Sequence, residues 1–245
     1  MSLRSLMIRG FPRSMTSLTY NVLQEALSHQ LHVPDPSKRR NHLPINGEIL
    51  ARSTIIPRIE NGAIDAETFE LAWPALKLHE GGYLVKDVLQ PWIVNHYLEK
   101  RAGSYVTLFI QRPLADILFR LKAFGWLSPK RAACPINKVE GCKLACSNCT
   151  LWSIPPDEAL ARGIVTTNRR FFQPLSRHAA VLDWDRMVLD PDYLFEEVEK
   201  LGYTPKRTNW MDSLFENKRK AVLAYRLDNE WKRGRDLLDA IESGK

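Results

Sequence analysis

The sequence predicts an α/β fold in which helices cross over a central parallel sheet. Short apolar runs of strand length alternate with segments whose apolar residues recur every three to four positions, a pattern typical of parallel sheets. The chain has 245 residues, of which 44% are hydrophobic and 26% charged, and this balance suits a folded core. Because no linker interrupts the alternation, residues 1–245 are predicted to form a single domain.

The N-terminal part supplies two strands and two helices. Leu6–Ile8 is a short apolar strand, and the apolar face of residues 18–29 predicts a helix after the turn that follows it. Residues 33–62 contain repeated proline and glycine and are predicted to be a loop-rich crossover. Residues 83–85 form a second strand after a pair of glycines, and Pro91 is well placed to begin a helix.

The C-terminal part continues the alternation. Residues 105–110 are β-branched and aromatic, which predicts a third strand, and Pro113 opens the next helix. Residues 179–182 form a further strand. A helix over 191–201 stops at a glycine, which is a favoured residue at helix C-termini, and residues 213–241 are predicted to be one long or broken helix.

The chain carries a net charge of +7, which indicates an anionic partner. A phosphorylated small molecule and a nucleic acid fit this charge equally well. No apolar run approaches the roughly 20 residues that a membrane-spanning helix needs. The apolar part of residues 1–10 is too short for a signal peptide, so a cytoplasmic location is expected.

The sharpest feature is a strand–turn–helix segment with polar side chains, in which Gly10 begins the turn. A helix that starts directly after a strand presents backbone N–H groups and the positive end of its dipole, which suit phosphate. The spacing mimics a Walker A loop, but Met15 stands at the second glycine and Thr16 at the lysine. The missing lysine argues against ATP hydrolysis. Alternatively, Ser14 and Thr16 simply cap the helix.

Four segments in order resemble the motifs of sulfotransferases. Residues 10–17 resemble the 5′-phosphosulfate loop, and residues 105–116 the strand, arginine and proline that bind the 3′-phosphate. Residues 180–191 resemble a later acidic segment, and residues 84–87 a lysine-bearing strand end. The resemblance implies a three-layer P-loop-NTPase-like fold, to which the sequence itself adds a Cys-rich insertion and a C-terminal helix. It also implies transfer of a sulfuryl group from 3′-phosphoadenosine 5′-phosphosulfate to a hydroxyl or amine of a small molecule or glycan.

The resemblance also implies which residues bind the nucleotide. Arg112 would bind the 3′-phosphate, and Arg120 stands where the family usually has a serine. Because eight residues make just over two helical turns, Arg120 could face the same phosphate; otherwise it is a solvated flank of the helix. Met15 would be disfavoured if its position needs a positive φ. The residues that would form the 5′-phosphate loop are Arg13, Ser14, Met15, Thr16 and Ser17.

The catalytic base is less clearly marked. Val88 stands where many family members carry a histidine as the base. Other members carry a carboxylate in the crossover after the first helix, and the segment that resembles this crossover contains Glu48, which is the candidate base. Alternatively, Glu48 caps a short helix that begins at Asn46. His42 and Asp87 are further candidates, and Lys86 could steady the sulfuryl oxygens, beside Arg13 at the bridging oxygen.

All four cysteines fall within residues 126–155, which break the strand–helix alternation and are predicted to be an insertion. Four thiols in a reducing compartment favour a structural zinc site. An iron–sulfur cluster, two disulfides or unpaired thiols are the alternatives. The insertion lies where sulfotransferases place loops that bind the acceptor. The predicted zinc ligands are Cys134, Cys142, Cys146 and Cys149.

Two other functions compete. A kinase-like nucleotide-binding enzyme would need a Mg²⁺ carboxylate and an arginine lid, for which Asp116 and Arg120 are available. A zinc-bearing, basic nucleic-acid-binding module would use the charge runs at 38–40, 130–131 and 218–220. Runs of this length are usually solvated surface, and no aromatic-rich basic ribbon accompanies them, so a nucleic-acid partner is not expected.

Overall fold

The computed structural model of the chain describes residues 3–11, 14–32, 81–87, 105–123, 156–171 and 179–244. These residues form an α/β unit in which every strand pairing is parallel. The predicted α/β class and parallel sheet are therefore confirmed.

The described residues contain one four-stranded sheet, formed by β1 (Ser5–Gly10), β2 (Leu84–Asp87), β3 (Tyr105–Gln111) and β4 (Ala179–Asp183). Their order across the sheet is β2-β1-β3-β4. The register places Ile8 beside Lys86 on one side and beside Leu108 on the other. The predicted apolar runs overlap these strands, although the run at 83–85 begins one residue before β2 and ends two residues before it does.

Seven helices belong to the described part of the chain. They are α1 (Thr16–Ala26), α2 (Leu114–Ala123), α3 (Pro156–Phe171), α4 (Trp184–Leu189), α5 (Pro191–Lys200), α6 (Asn209–Arg226) and α7 (Asn229–Glu242). None of these helices is long and apolar enough to cross a bilayer.

The C-terminal basic segment forms a helical hairpin of α6 and α7. The chain turns at Leu227 and Asp228, and the Asp228 side chain accepts a hydrogen bond from the Glu230 N–H at 2.7 Å. This N-cap explains why the segment predicted as one long or broken helix breaks here.

Apolar clusters cover both faces of the sheet. Because side chains alternate along a strand, Leu108 faces the cluster formed with α1, α4, α5 and α6, whereas Phe109 faces the cluster formed with α2, α3 and α7. Helices packed on both faces of a parallel sheet are compatible with a three-layer α/β fold.

The strand order places a switch point between β1 and β3. From β1 the chain passes to β2 on one side, and then crosses to β3 on the other. In parallel sheets, ligands bind in the crevice outside the carboxyl ends of the strands at such a point. Here those ends are Gly10 of β1 and Gln111 of β3.

Candidate functional site

Gly10 lets the loop after β1 turn close to β3. A Cβ atom added to Gly10 would lie 2.3 Å from the Ser14 hydroxyl oxygen and 3.0 Å from the carbonyl oxygen of Ile110. Real Cβ atoms do not approach other atoms at the shorter of these distances. The position therefore requires glycine because of the space around it.

Met15 has the backbone conformation that a glycine would favour. Its φ is 67° and its ψ is 14°, and among the described residues it is the only one other than glycine with a positive φ. The side chain is 8% exposed and belongs to the apolar cluster on the α1 face. The position that corresponds to the second Walker A glycine is thus left-handed, and we infer that burial of the methionine compensates the cost of this conformation.

The start of α1 is not capped by a side chain. Met15 occupies the N-cap position and makes no capping hydrogen bond, and the first turn contains no acidic residue. The Ser14 hydroxyl, which is fully buried, donates instead to the carbonyl oxygen of Phe11 at 2.6 Å. Simple helix capping by Ser14 or Thr16 is therefore not what the structure shows.

Lys86 brings a positive charge to this helix start. It lies near the end of β2, its side chain is 1% exposed, and its Nζ donates to the Ser17 hydroxyl at 2.9 Å. A buried ammonium beside the N-terminus of a helix favours an anion as the neighbouring ligand. Lys86, predicted from the resemblance of residues 84–87 to a lysine-bearing strand end, is thus brought into contact with the predicted loop.

Arg112 lies directly after β3, across the switch point from the loop. Its guanidinium is stacked over the Trp184 ring at 4.4 Å, and its Nη2 donates to the Tyr225 hydroxyl at 2.8 Å. Burial lowers the pKa of Arg112, and Tyr225 and Asp116 oppose that shift. A 5% exposed arginine held by two aromatic residues is already oriented for a ligand.

Two further cations lie near Arg112. Burial, together with the charges of Arg112 and Arg120, lowers the pKa of Lys218 on α6 to about 8. These cations therefore form one cluster between α2 and α6, which we call the basic cluster (Arg112, Arg120 and Lys218). Sequence reasoning missed Lys218, because a lysine within a charge run gives no signal of a partner more than 100 residues earlier.

Asp116 does not have the environment of a Mg²⁺ ligand. Its fully buried carboxylate accepts hydrogen bonds from Arg226 at 2.5 Å and from the indole N–H of Trp231 at 2.8 Å. A carboxylate so occupied is a structural anchor. The kinase-like alternative thus loses the acidic residue that it needed.

A cleft of about 400 Å³ adjoins Arg112 at the carboxyl ends of β3 and β4. Its walls combine apolar side chains with amides and carboxylates, among them Phe11, Gln111, Asn168 and Asp183. The volume is within the range of small-molecule sites. A ligand in this cleft would lie beside the basic cluster.

Several predicted residues lie outside the described part of the chain. They are Arg13, His42, Glu48, Cys134, Cys142, Cys146 and Cys149. The catalytic base, the zinc site and the insertion over 126–155 therefore stay predictions. Asp87 is the last residue of β2 and pairs in register with Arg9. Within the described ranges, no three or more His, Cys, Asp or Glu side chains are grouped to hold a metal ion.

Comparison of the chain with models of protein families, with curated proteins and with solved structures finds no match.

Proposed function

We propose that the protein is a sulfotransferase that moves a sulfuryl group from 3′-phosphoadenosine 5′-phosphosulfate to a hydroxyl or amine. The observation that carries the proposal is the pair of positively charged positions at one edge of the sheet. One is the loop before α1 with Lys86, and the other is the basic cluster after β3. A nucleotide with phosphates on both its 5′ and 3′ positions suits two such positions better than a linear triphosphate does.

Each residue would have a distinct part in the reaction. The loop, Arg13 and Lys86 hold the phosphosulfate, and the basic cluster holds the 3′-phosphate. The acceptor oxygen or nitrogen bonds to sulfur as the bond from sulfur to the bridging oxygen breaks, and Glu48 takes the acceptor proton. The electrons of the broken bond stay on the bridging oxygen, where the cations stabilise the growing negative charge. The cleft beside Arg112 offers the acceptor a place at the same edge.

The proposal is tested by titrating the protein with 3′-phosphoadenosine 5′-phosphate in a calorimeter. We expect a dissociation constant in the micromolar range that does not change when Mg²⁺ is removed, because two sets of cations already neutralise the phosphates. ATP, which lacks a 3′-phosphate, should bind at least tenfold more weakly. Tighter binding of ATP that depends on Mg²⁺ would instead support the kinase-like alternative.

Lys218→Met should stabilise the fold and weaken nucleotide binding. In the wild-type protein the pKa of Lys218 is about 8 against an ordinary value of 10.5, so below pH 8 the folded chain carries an unfavourable charge. Between pH 8 and pH 10.5 the unfolded chain binds more protons than the folded chain does. The free energy of unfolding of the wild type therefore rises with pH in this range. Removing the charge should raise stability at pH 7 by about 1 kcal/mol, less than the whole shift would give, because water reaches the side chain.

The measurement is thermal unfolding and nucleotide titration at pH 7 and pH 9. Wild-type affinity should fall between these pH values as Lys218 loses its proton, and the variant should lose that dependence. Lys220→Met is the matched control, since Lys220 lies on the same helix but is 70% exposed and pairs with Glu216. Equal behaviour of the two variants would remove Lys218 from the basic cluster.

A further inference from the structure

Asp116 joins the start of α2 to both helices of the C-terminal hairpin. The carboxylate is fully buried and lies four residues after Arg112. It accepts hydrogen bonds from Nε and Nη2 of Arg226, at 3.2 and 2.5 Å, and from Nε1 of Trp231 at 2.8 Å. Arg226 is the last residue of α6 and Trp231 lies in the first turn of α7, so one side chain holds both helices.

The same hairpin supplies two contacts to the anion site. Tyr225, which precedes Arg226, accepts a hydrogen bond from Arg112 at 2.8 Å and is also hydrogen-bonded with Asp116. Lys218 lies seven residues before Tyr225, about two helical turns, and therefore on the same side of α6. The position of both residues relative to Arg112 thus depends on the contacts that hold the hairpin, which include those of Asp116 and the ion pair of Arg226 with Asp185.

Electrostatics alone would give Asp116 the opposite effect. A carboxylate near Arg112 and Lys218 raises the pKa of both, and so opposes the lowering caused by burial. It also repels a bound anion, so its removal should strengthen anion binding if charge were all that mattered. When the Asp116 charge is removed, loss of hairpin placement predicts weaker anion binding, whereas loss of repulsion predicts stronger anion binding.

We propose that Asp116 is a positioning residue of the anion site, which couples occupancy of Arg112 to the order of the α6–α7 hairpin. The inference rests on the proposed function only in that the site binds a phosphorylated nucleotide. Coupling between two parts of a molecule is reciprocal. Loss of the Asp116 contacts therefore weakens binding of the nucleotide, and the bound nucleotide in turn protects the hairpin from local opening.

The experiment compares Asp116→Asn with Asp212→Asn in the full chain. Both variants lose one negative charge, but Asp212 lies in the first turn of α6 and pairs there with exposed Arg207. We expect Asp116→Asn to bind 3′-phosphoadenosine 5′-phosphate about tenfold more weakly, and Asp212→Asn to stay within about twofold of the wild type. Hydrogen exchange should speed up in α6 and α7 of Asp116→Asn alone, and nucleotide should slow it in the wild type.

A double-mutant cycle separates positioning from general damage to the fold. Tyr225→Phe should weaken binding in the wild-type background and have little further effect with Asp116→Asn, because the hydroxyl is then already displaced. Asp116→Glu should recover part of the lost affinity. Should Asp116→Asn fail to fold, Trp231→Phe removes one donor to the same carboxylate, and about threefold weaker binding is expected.

The outcomes distinguish this inference from the proposed function. Unchanged or tighter binding by Asp116→Asn, or additive effects in the cycle, would overturn the role of Asp116 and leave the proposed function in place. If Trp231→Phe binds the nucleotide as tightly as the wild type and hydrogen exchange in its hairpin is unchanged, the role of Asp116 is likewise overturned and the proposed function stays in place. Absence of nucleotide binding by the wild-type chain would overturn both.

Discussion

Arg112→Ala is expected to weaken binding of 3′-phosphoadenosine 5′-phosphate by about 2–3 kcal/mol, or roughly 30- to 150-fold. The guanidinium is held over Trp184 and against Tyr225, so the ordering of a long side chain is complete before the ligand arrives. A charge-assisted contact made by such a group contributes more than one made by a mobile surface arginine. Calorimetric titration measures the loss directly.

Arg186→Ala is the matched control for this experiment. Arg186 also stacks on an aromatic ring, that of Tyr193 at 4.2 Å, but its side chain is exposed to solvent. Arg112→Lys should give an intermediate affinity, because it keeps the charge and loses the planar donor pair. If Arg112→Ala binds the nucleotide within twofold of the wild type, Arg112 does not belong to the site.

Gly10→Ala is expected to lower the free energy of unfolding by about 2–4 kcal/mol and to weaken nucleotide binding with it. The new methyl group would collide with the Ser14 hydroxyl, whose hydrogen bond to Phe11 closes the loop, and would press on the backbone of Ile110. The backbone cannot rotate away as a flexible side chain could. Chemical denaturation followed by circular dichroism measures the change.

Gly234→Ala provides the comparison within the same protein. A methyl group there would lie 3.2 Å from the end of the Leu118 side chain, which can move, and alanine favours the interior of α7. Its stability should stay within about 1 kcal/mol of the wild type. If Gly10→Ala has the stability and affinity of the wild type, the loop has more space around this position than the distances to Ser14 and Ile110 indicate.

The sequence allowed the sheet strands of the described residues to be predicted, because their signals are local. The apolar run at residues 105–110 and the strand at 179–182 appear as β3 and β4 within one residue of the predicted bounds. The turn after β1 was also visible, since Gly10 and the polar residues after it lie within one short segment. Local pattern and local structure agree here because neighbours in sequence remain neighbours in space.

Other features depend on contacts between distant segments and could not be predicted. Lys218 and Tyr225 reach Arg112 only because the hairpin packs against α2, and nothing in the run at 218–220 marks which lysine turns inward. The role of Asp116 was equally hidden, since an acidic residue in the first turn of a helix is ordinary. Helix α4 was missed because its six residues are shorter than any periodicity can reveal.

Met15 has a consequence for anyone who would engineer this protein. A glycine at this bend would leave the loop mechanically independent of the interior, whereas the buried methionine side chain ties the loop backbone to the core on the α1 face. Repacking that core for greater heat resistance will therefore move the amides at the start of α1 and change ligand affinity as well. The cluster on the other face of the sheet is tied to the site as well, because it contains Phe11, whose carbonyl oxygen accepts from Ser14, and Leu238 of the hairpin that bears Lys218.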